Sequence, residues 1–397
     1  MSPVSWKKNL YIMFAAEFIV ILGFSFITPF MPLYVQELGS FNSDQAALWS
    51  GIAIGASSIA LFISGPIWGI ISDKWGRKPM VLRALFGSAV IQTLAGLAPN
   101  IYIFVSLRFL QGLFSGTVPA ASALVASTSP RDKTSYAMGL LMLGVFLGNT
   151  IGPSIGGILA ETFGFQNSFF FASGFQLLAG LLVLFFVKEN FQRPVKESSM
   201  GDMWRLFGSK PIITLLITIF IIAISQQLIQ PIITLFIQEL NPAGSAATSS
   251  GLAFTFLGLT AAVSSVISGR LGKRVSLKKV LIFSCIGAAL LNLSPLWVNT
   301  VTQMIFVVGL MGLFQGGNTT STSSLIGLSL PVSQQGIAYG LSQSAMSLGN
   351  GLGPIIGGGL VSLLSLRYVF PVSSGLFLLA SLLVTRFIRV QPVKEVP

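Results

Sequence analysis

Long apolar runs separated by short polar breaks fill almost the whole chain. A helix needs about 20 mostly apolar residues to cross a hydrocarbon layer roughly 30 Å thick, at a rise of about 1.5 Å per residue. Runs of that kind predict twelve helices, at 10–34, 47–71, 79–98, 101–125, 136–160, 166–187, 211–236, 248–270, 279–297, 301–326, 336–362 and 367–388. Turn signals separate them at Gly39-Ser40, Pro99-Asn100, Pro130, Asn241-Pro242 and Pro331. The first run follows Lys7 and Lys8 and continues to about Tyr34. It is too long for a signal-peptide core and lacks a small-residue cleavage site, so it is read as a retained helix. The expected fold is an all-α integral membrane protein with twelve transmembrane helices. The long polar connection 188–210 divides it into a first bundle, 1–187, and a second, 211–397.

Composition supports this reading. Hydrophobic residues make up 53% of the chain and charged residues 9%, against roughly 25% charged in a soluble domain. The formal charge of +12 forms no continuous basic stripe of the kind that binds nucleic acid. It falls instead in clusters between spans: Lys74, Arg77, Lys78 and Arg83; Arg131 and Lys133; Lys188 through Lys210; Arg270 through Lys279; Arg386 through Lys394. Lys and Arg stay on the cytoplasmic side of a membrane, which predicts cytoplasmic termini. The other side holds Arg367 with the acids Glu37, Asp44, Glu161 and Glu239. The chain has no His and one Cys, Cys285. A histidine relay, a disulfide within the chain and a thiol metal cluster are therefore excluded. No GxxxxGK[ST] loop is present, so no nucleotide-driven motor is expected, and neither an enzyme triad nor a channel filter is apparent.

The two halves repeat one another. Ile27-Thr28-Pro29 leading to Leu33-Tyr34-Val35-Gln36-Glu37-Leu38 returns as Ile229-Gln230-Pro231 leading to Leu235-Phe236-Ile237-Gln238-Glu239-Leu240. Gly112-Leu113-Phe114-Ser115-Gly116 returns as Gly312-Leu313-Phe314-Gln315-Gly316. Leu147-Gly148-Asn149, Gly152-Pro153 and Gly156-Gly157 return as Leu348-Gly349-Asn350, Gly353-Pro354 and Gly357-Gly358. All keep an offset of about 200 residues. Parallel six-helix repeats place a substrate cavity at their interface near the membrane midplane.

Three motifs carry more specific information. After the second helix the chain reads Gly69-Ile70-Ile71-Ser72-Asp73-Lys74-Trp75-Gly76-Arg77-Lys78-Pro79. Gly69 would admit a close neighbouring helix, and Gly76 supplies a tight turn. Helix 5 carries Gly144, Gly148, Gly152-Pro153 and Gly156-Gly157, and helix 11 repeats the pattern. Glycines four apart share a face and admit another backbone. In helix 4, Leu107-Arg108 precedes Gln111-Gly112, and a buried Arg in a span is a functional candidate by default.

On these motifs, over essentially its whole length, the chain resembles the drug:proton antiporter branch of the major facilitator superfamily, and within it bacterial multidrug exporters. The resemblance implies two pseudo-symmetric six-helix bundles in the cell membrane. It implies export of diverse lipophilic or cationic small molecules in exchange for protons, by alternating access, with no cofactor and as a monomer. It makes Asp73, Arg77 and Lys78 parts of a gating loop, with Asp132 as a further partner. It makes Gly148, Gly152, Pro153, Gly156 and Gly157, with Gly349, Gly353, Pro354 and Gly357, an exporter signature. The same residues also serve as helix packing and as ordinary inside charges. In the second half Lys273 replaces Asp73 and Ser276 replaces Gly76, so an acid-based latch belongs to the first half alone.

Glu17 is the one acid placed well within a span, about 10 Å inside the basic side by helical rise. Arg108 enters from the other side, leaving roughly 8 Å between their levels in a 30 Å core. The two are the candidates for proton coupling, with pairing left open. Ile21, Phe24 and Thr28 lie at helical offsets from Glu17 and are cavity candidates. In the second half Gln226, Gln230, Asn292, Gln315, Asn318 and Gln343 offer polarity without charge. An apolar, aromatic cavity with few polar groups suits promiscuous recognition. Export of a specific sugar, metabolite or lipid is the alternative.

Overall fold

Proline and glycine decide where an apolar run stops being one helix. The computed structural model describes residues 6–130, 133–189, 210–242, 244–272, 274–328 and 332–388, whose regular elements are helices. Asp132, Lys273 and residues 190–209 of the expected linker lie outside the described residues. The run expected as a single helix at 10–34 is two, α1 (Trp6–Ser25) and α2 (Met31–Gly39). Pro29 and Pro32 lack the amide hydrogen a continuous helix needs and disfavour helical geometry just before them. The chain turns between them, with Ile27 O accepting from both Phe30 N and Met31 N. The runs at 101–125 and 211–236 are corrected in the same way. α5 (Ile101–Phe114) gives way to α6 (Thr117–Thr128) at Gly116, whose φ of +104° is left-handed and favours glycine. α9 (Lys210–Leu228) gives way to α10 (Gln230–Leu240) just before Pro231.

The remaining crossings are unbroken: α3 (Ser43–Trp75), α4 (Arg77–Gly96), α7 (Thr134–Phe163), α8 (Phe165–Phe186), α11 (Ala246–Leu271), α12 (Leu277–Leu293), α13 (Val301–Leu328), α14 (Val332–Val361) and α15 (Leu366–Phe387). At 33 residues, α3 is about 50 Å long and overruns the expected 47–71 at both ends. α7 and α14 continue through Pro153 and Pro354. Among the described residues, ten segments are both long and apolar enough to span a membrane. α13 and α14 have the length, at 28 and 30 residues, but are diluted by Gln, Asn, Ser and Thr.

Within the first half α1 packs on α7 and α8, α4 on α8, and α3 on α5; within the second, α9 packs on α14 and α15, α12 on α15, and α11 on α13. The halves meet along two seams, α3 against α14 and α7 against α11. Glycines set the spacing of both. On α7 a Cβ at Gly148, Gly152 or Gly156 would run into the carbonyls of Phe18 and Leu22 in α1 and of Phe26 just after it. The adjoining face crosses to the other half, where Gly157 lies on the carbonyl of Ala247 and Gly251 on that of Pro153. α14 repeats the arrangement. Gly349, Gly353 and Gly357 lie on the α9 carbonyls of Phe220, Ile224 and Leu228, while Gly358 lies on Ala47 O and Gly51 on Pro354 O.

Both seams close toward one face only. Toward the face holding Lys78, Lys188 and Lys278, called here the basic face, a Cβ at Gly65 or Gly69 of α3, Gly139 of α7 or Gly340 of α14 would meet nothing within 4 Å. The close approach expected at Gly69 is therefore not made, because the halves splay apart there. They form a wedge, joined at the opposite face. Replacing Gly251 or Gly358 by Ala should force the joined face apart at a cost of about 1–3 kcal/mol, although Ala favours helix over Gly by about 1 kcal/mol. Gly174→Ala and Gly375→Ala, which meet open space, should leave it unchanged. Spin-label distances across the opposite face, in a Cys285→Ser background, check this.

Candidate functional site

The wedge encloses a cavity of about 770 Å³. Its first-half wall is one face of α7, from Gly139 through Phe146 and Thr150 to Pro153, with Ser25 at the end of α1 and Thr28 from the α1–α2 break. The second half supplies the rest: Gln226, Gln227 and Gln230 around the α9–α10 break, α11 from Phe254 to Val266, Gln315 and Met311 of α13, and Asn292 of α12. Gln226 and Gln230 lie on opposite sides of the α9–α10 break, so the break and not one helical register brings both to the cavity. Amide and hydroxyl groups interrupt an otherwise apolar and aromatic wall, and among the described residues no charged side chain lines it.

Thr28, Gln226, Gln230, Asn292 and Gln315 thus come together, and four expected residues do not. Ile21 packs on Gly148 of α7, inside the first half. Phe24 is exposed without lining the cavity. Asn318 is fully buried and accepts from Cys285 Sγ at 3.4 Å. Gln343 lies exposed on α14, off the cavity wall.

Glu17 does not line the cavity either. It is 1% exposed and lies beside Thr117 of α6, and its Oε2 has no hydrogen-bond partner among the described residues. Arg108 is elsewhere. Its guanidinium lies 5.1 Å and 5.3 Å from the ring centroids of Phe104 and Phe169. It donates to Gln111 Oε1, which belongs to a side chain that donates in turn to Gln92 Oε1. Nε and Nη2 of Arg108 have no partner among the described residues. No ion pair joins Glu17 to Arg108 among the described residues; each side chain is buried beside other groups.

The loop expected to gate is a helix-to-helix turn at Gly76, whose φ of 99° and ψ of 165° belong almost solely to glycine. Ser276, at the equivalent place, has a negative φ of −54°, so the turn of the second half is built differently. Of the Asp73 side chain nothing is described. A residue missed by the sequence reading, Glu189, accepts from Arg77 N at 2.9 Å and Lys78 N at 2.8 Å, capping α4. Lys78 Nζ reciprocates at the end of α8, donating to Leu184 O at 2.8 Å and Val187 O at 2.7 Å. Each charge complements the partial charge of the helix end it faces. Glu189 and Lys78 therefore brace the first half in this state.

A second missed residue joins the halves. Glu161, at the end of α7, accepts from Thr248 N at 3.0 Å and Thr248 Oγ1 at 2.5 Å. It caps the start of α11, whose own N-cap Ser245 makes no side-chain cap. Ser154 Oγ adds a 2.7 Å bond to Thr255 Oγ1 in the same seam. At the other seam the equivalent residues are Ser362, which bonds back to Gly359 O of its own helix, and Leu48, which has no polar group. No signal within α7 indicates that its last acid caps a helix of the other half.

A duplicated helical membrane protein with a one-sided cavity between its halves has the architecture of a secondary transporter. The chain belongs to the Major Facilitator Superfamily, whose sequence profile matches residues 13–241 and 215–397. It is 34% identical over 381 residues to the multidrug resistance protein MdtG of Citrobacter koseri, covering 95% of this chain and 94% of that protein. To MdtG of Escherichia coli it is 34% identical over 382 residues, covering 95% and 93%. Among solved structures, it matches a bacterial homologue of the human lysosomal transporter Spinster, in an inward-facing and occupied conformation. That match has a TM-score of 0.80 at 14% identity, over 96% of this chain and 98% of the other. The human organic anion transporter MFSD10 gives 0.70 at 19% identity, over 96% and 99%.

The cap makes a prediction about the closed face. Glu161→Ala removes an acceptor for two donors, and loss of a cap costs about 1 kcal/mol. The population open at the opposite face should rise about fivefold, while Ser362→Ala should leave it unchanged. Spin-label distances across that face measure both.

Proposed function

We propose that this chain exports small amphipathic compounds in exchange for protons, by alternating access, and that its basic face is cytoplasmic. The cavity carries the reading: it lies between the halves, opens toward the basic face and is closed at the other by backbone contact. Lys and Arg are retained on the cytoplasmic side of membranes, which makes the open mouth a cytoplasmic entrance and the joined face the exit. The multidrug relatives, similar over nearly their full length, support drug-like substrates. The glycines that meet nothing at the open end supply room for a second closure. When the halves rock, Gly65 and Gly69 move toward α14, and Gly139 toward α11.

Glu17 serves as the proton carrier. An ionised carboxylate without a partner in a low-dielectric interior is costly, so the group exchanges protons as its surroundings change. Its position beside Thr117, just after the Gly116 break, joins its charge state to the packing of α1 on α6. The braced turn at Arg77 and Lys78 keeps the first half rigid while this happens.

In proteoliposomes, Glu17→Gln should lower proton-driven efflux of a lipophilic dye at least about tenfold, with expression and dye binding retained. Undiminished dye-dependent proton release by that variant would remove Glu17 from the mechanism. In whole cells, an uncoupler should collapse dye efflux by the native chain.

A further inference from the structure

The two seams bound the cavity unequally. Its wall takes in α7 from Gly139 to Pro153 and α11 from Phe254 to Val266, yet among the described residues it includes none of α3 or α14. The α7–α11 seam is closed from the contact of Thr150 with Gly258 to the joined face. On the basic side of that contact the two helices part, and a Cβ at Gly139 would meet nothing within 4 Å. The parting is a gap in the cavity wall. On α11 the lining residues Ala262 and Val266 stand beside Val263 and Ile267, which are more than half exposed but do not line the cavity. The helix edge thus passes here from cavity surface to outer surface.

Outside the gap lies lipid. Both edges belong to segments long and apolar enough to cross a membrane, Tyr136–Phe163 and Ala246–Leu271. Gly139, Met142 and Leu143 on one edge and Ala262 and Val266 on the other carry no polar side chain. Ser265, the polar residue among them, donates back to Gly316 O at 3.3 Å. Toward the basic face the gap ends near Tyr136 and Arg270, residue types that sit at headgroup level. From there to the Thr150–Gly258 contact is about 20 Å by helical rise, enough to take in one leaflet, half of a core roughly 30 Å thick. An apolar path therefore joins that leaflet to the cavity. The route through water is costly for a tailed molecule, since each methylene favours lipid about fourfold.

Resting on the transporter reading above, we infer that the α7–α11 gap is a lateral entrance through which single-tailed amphiphiles pass from the basic-side leaflet into the cavity.

Two amphiphiles with one head group test this, one with a dodecyl tail and one with an ethyl tail, each carrying a photoreactive diazirine. They are added to the full chain in lipid nanodiscs, flashed after varied delays, and the labelled residues are read by mass spectrometry. In the native chain the dodecyl compound should label Met142, Leu143 and Val266, and excess unlabelled compound should suppress this. Labelling of Ile63 and Ile67 on α3 should resist that competition. Gly139→Trp, which fills open space, should slow dodecyl labelling of Met311 on the α13 wall at least about tenfold, with the final extent unchanged. Ethyl labelling, by way of water, should slow less than about twofold, and Gly65→Trp at the other seam should slow neither. Equal slowing of both compounds by Gly139→Trp, or slowing of neither, would overturn the inference. So would competable labelling at Ile63 and Ile67 as strong as at the α7–α11 edges, a measurement that needs no variant to fold. The transporter reading fails separately, if the entrance behaves as expected but a proton gradient moves neither compound in proteoliposomes.

Discussion

In a lipid surrounding, helices gain nothing by hiding apolar side chains from water, because the alternative neighbour is equally apolar. Association depends on how closely backbones approach and on the few polar bonds between them. The rest of this structure follows from the approach of α7 and α14 to their neighbours. Each has one glycine face against the first helix of its own half and a second against a long helix of the other half. Within the first half, contact with α1 runs from Gly144 to Gly156, whereas across the seam it begins near Thr150 and Gly258. Each half is therefore held along most of its thickness, and the pair is held at one face. A body built in this way rocks before it deforms.

The two seams share one backbone geometry but not one chemistry. Gly157 on Ala247 and Gly358 on Ala47 are equivalent contacts, yet only the α7–α11 seam has the Glu161 cap. Duplication preserved the spacing, since any added side chain would part the backbones. The end residues differ, so that Glu161 corresponds to Ser362 and Thr248 to Leu48. The same divergence separates the basic-face turns, where Gly76 is replaced by Ser276.

Periodicity and spacing made the twelve crossings, the duplication and the glycine faces legible in the sequence, because each leaves a regular trace along the chain. The cavity wall was less legible. Ile21, Phe24 and Thr28 were grouped by carrying one helical register along the first run from Glu17. That register ends at Ser25, and the face bearing Glu17 turns toward α6. Thr28 lines the cavity because it lies in the break after Ser25, and not because it shares a face with Glu17. On α13, Gln315 and Thr319 line the cavity while Asn318 points to Cys285, a rotation of about 100° per residue that hydropathy does not record. Glu161 and Glu189 act on helix ends brought near only by tertiary structure.

The placement of charge has a consequence for coupling. Glu17 and Arg108 lie inside the first half, apart from one another and from the cavity, which no charged side chain lines among the described residues. A proton and a ligand that met at one carboxylate could exclude each other directly. Here they occupy different places, so any linkage between them runs through an equilibrium that both bias. With Glu17 as the proposed proton site, its proton would act through the contact of α1 with α6 next to Gly116. A ligand held in the cavity would touch α7 of one half and α9, α11 and α13 of the other. Both act on the same wedge, whose rocking needs no side chain common to the two sites.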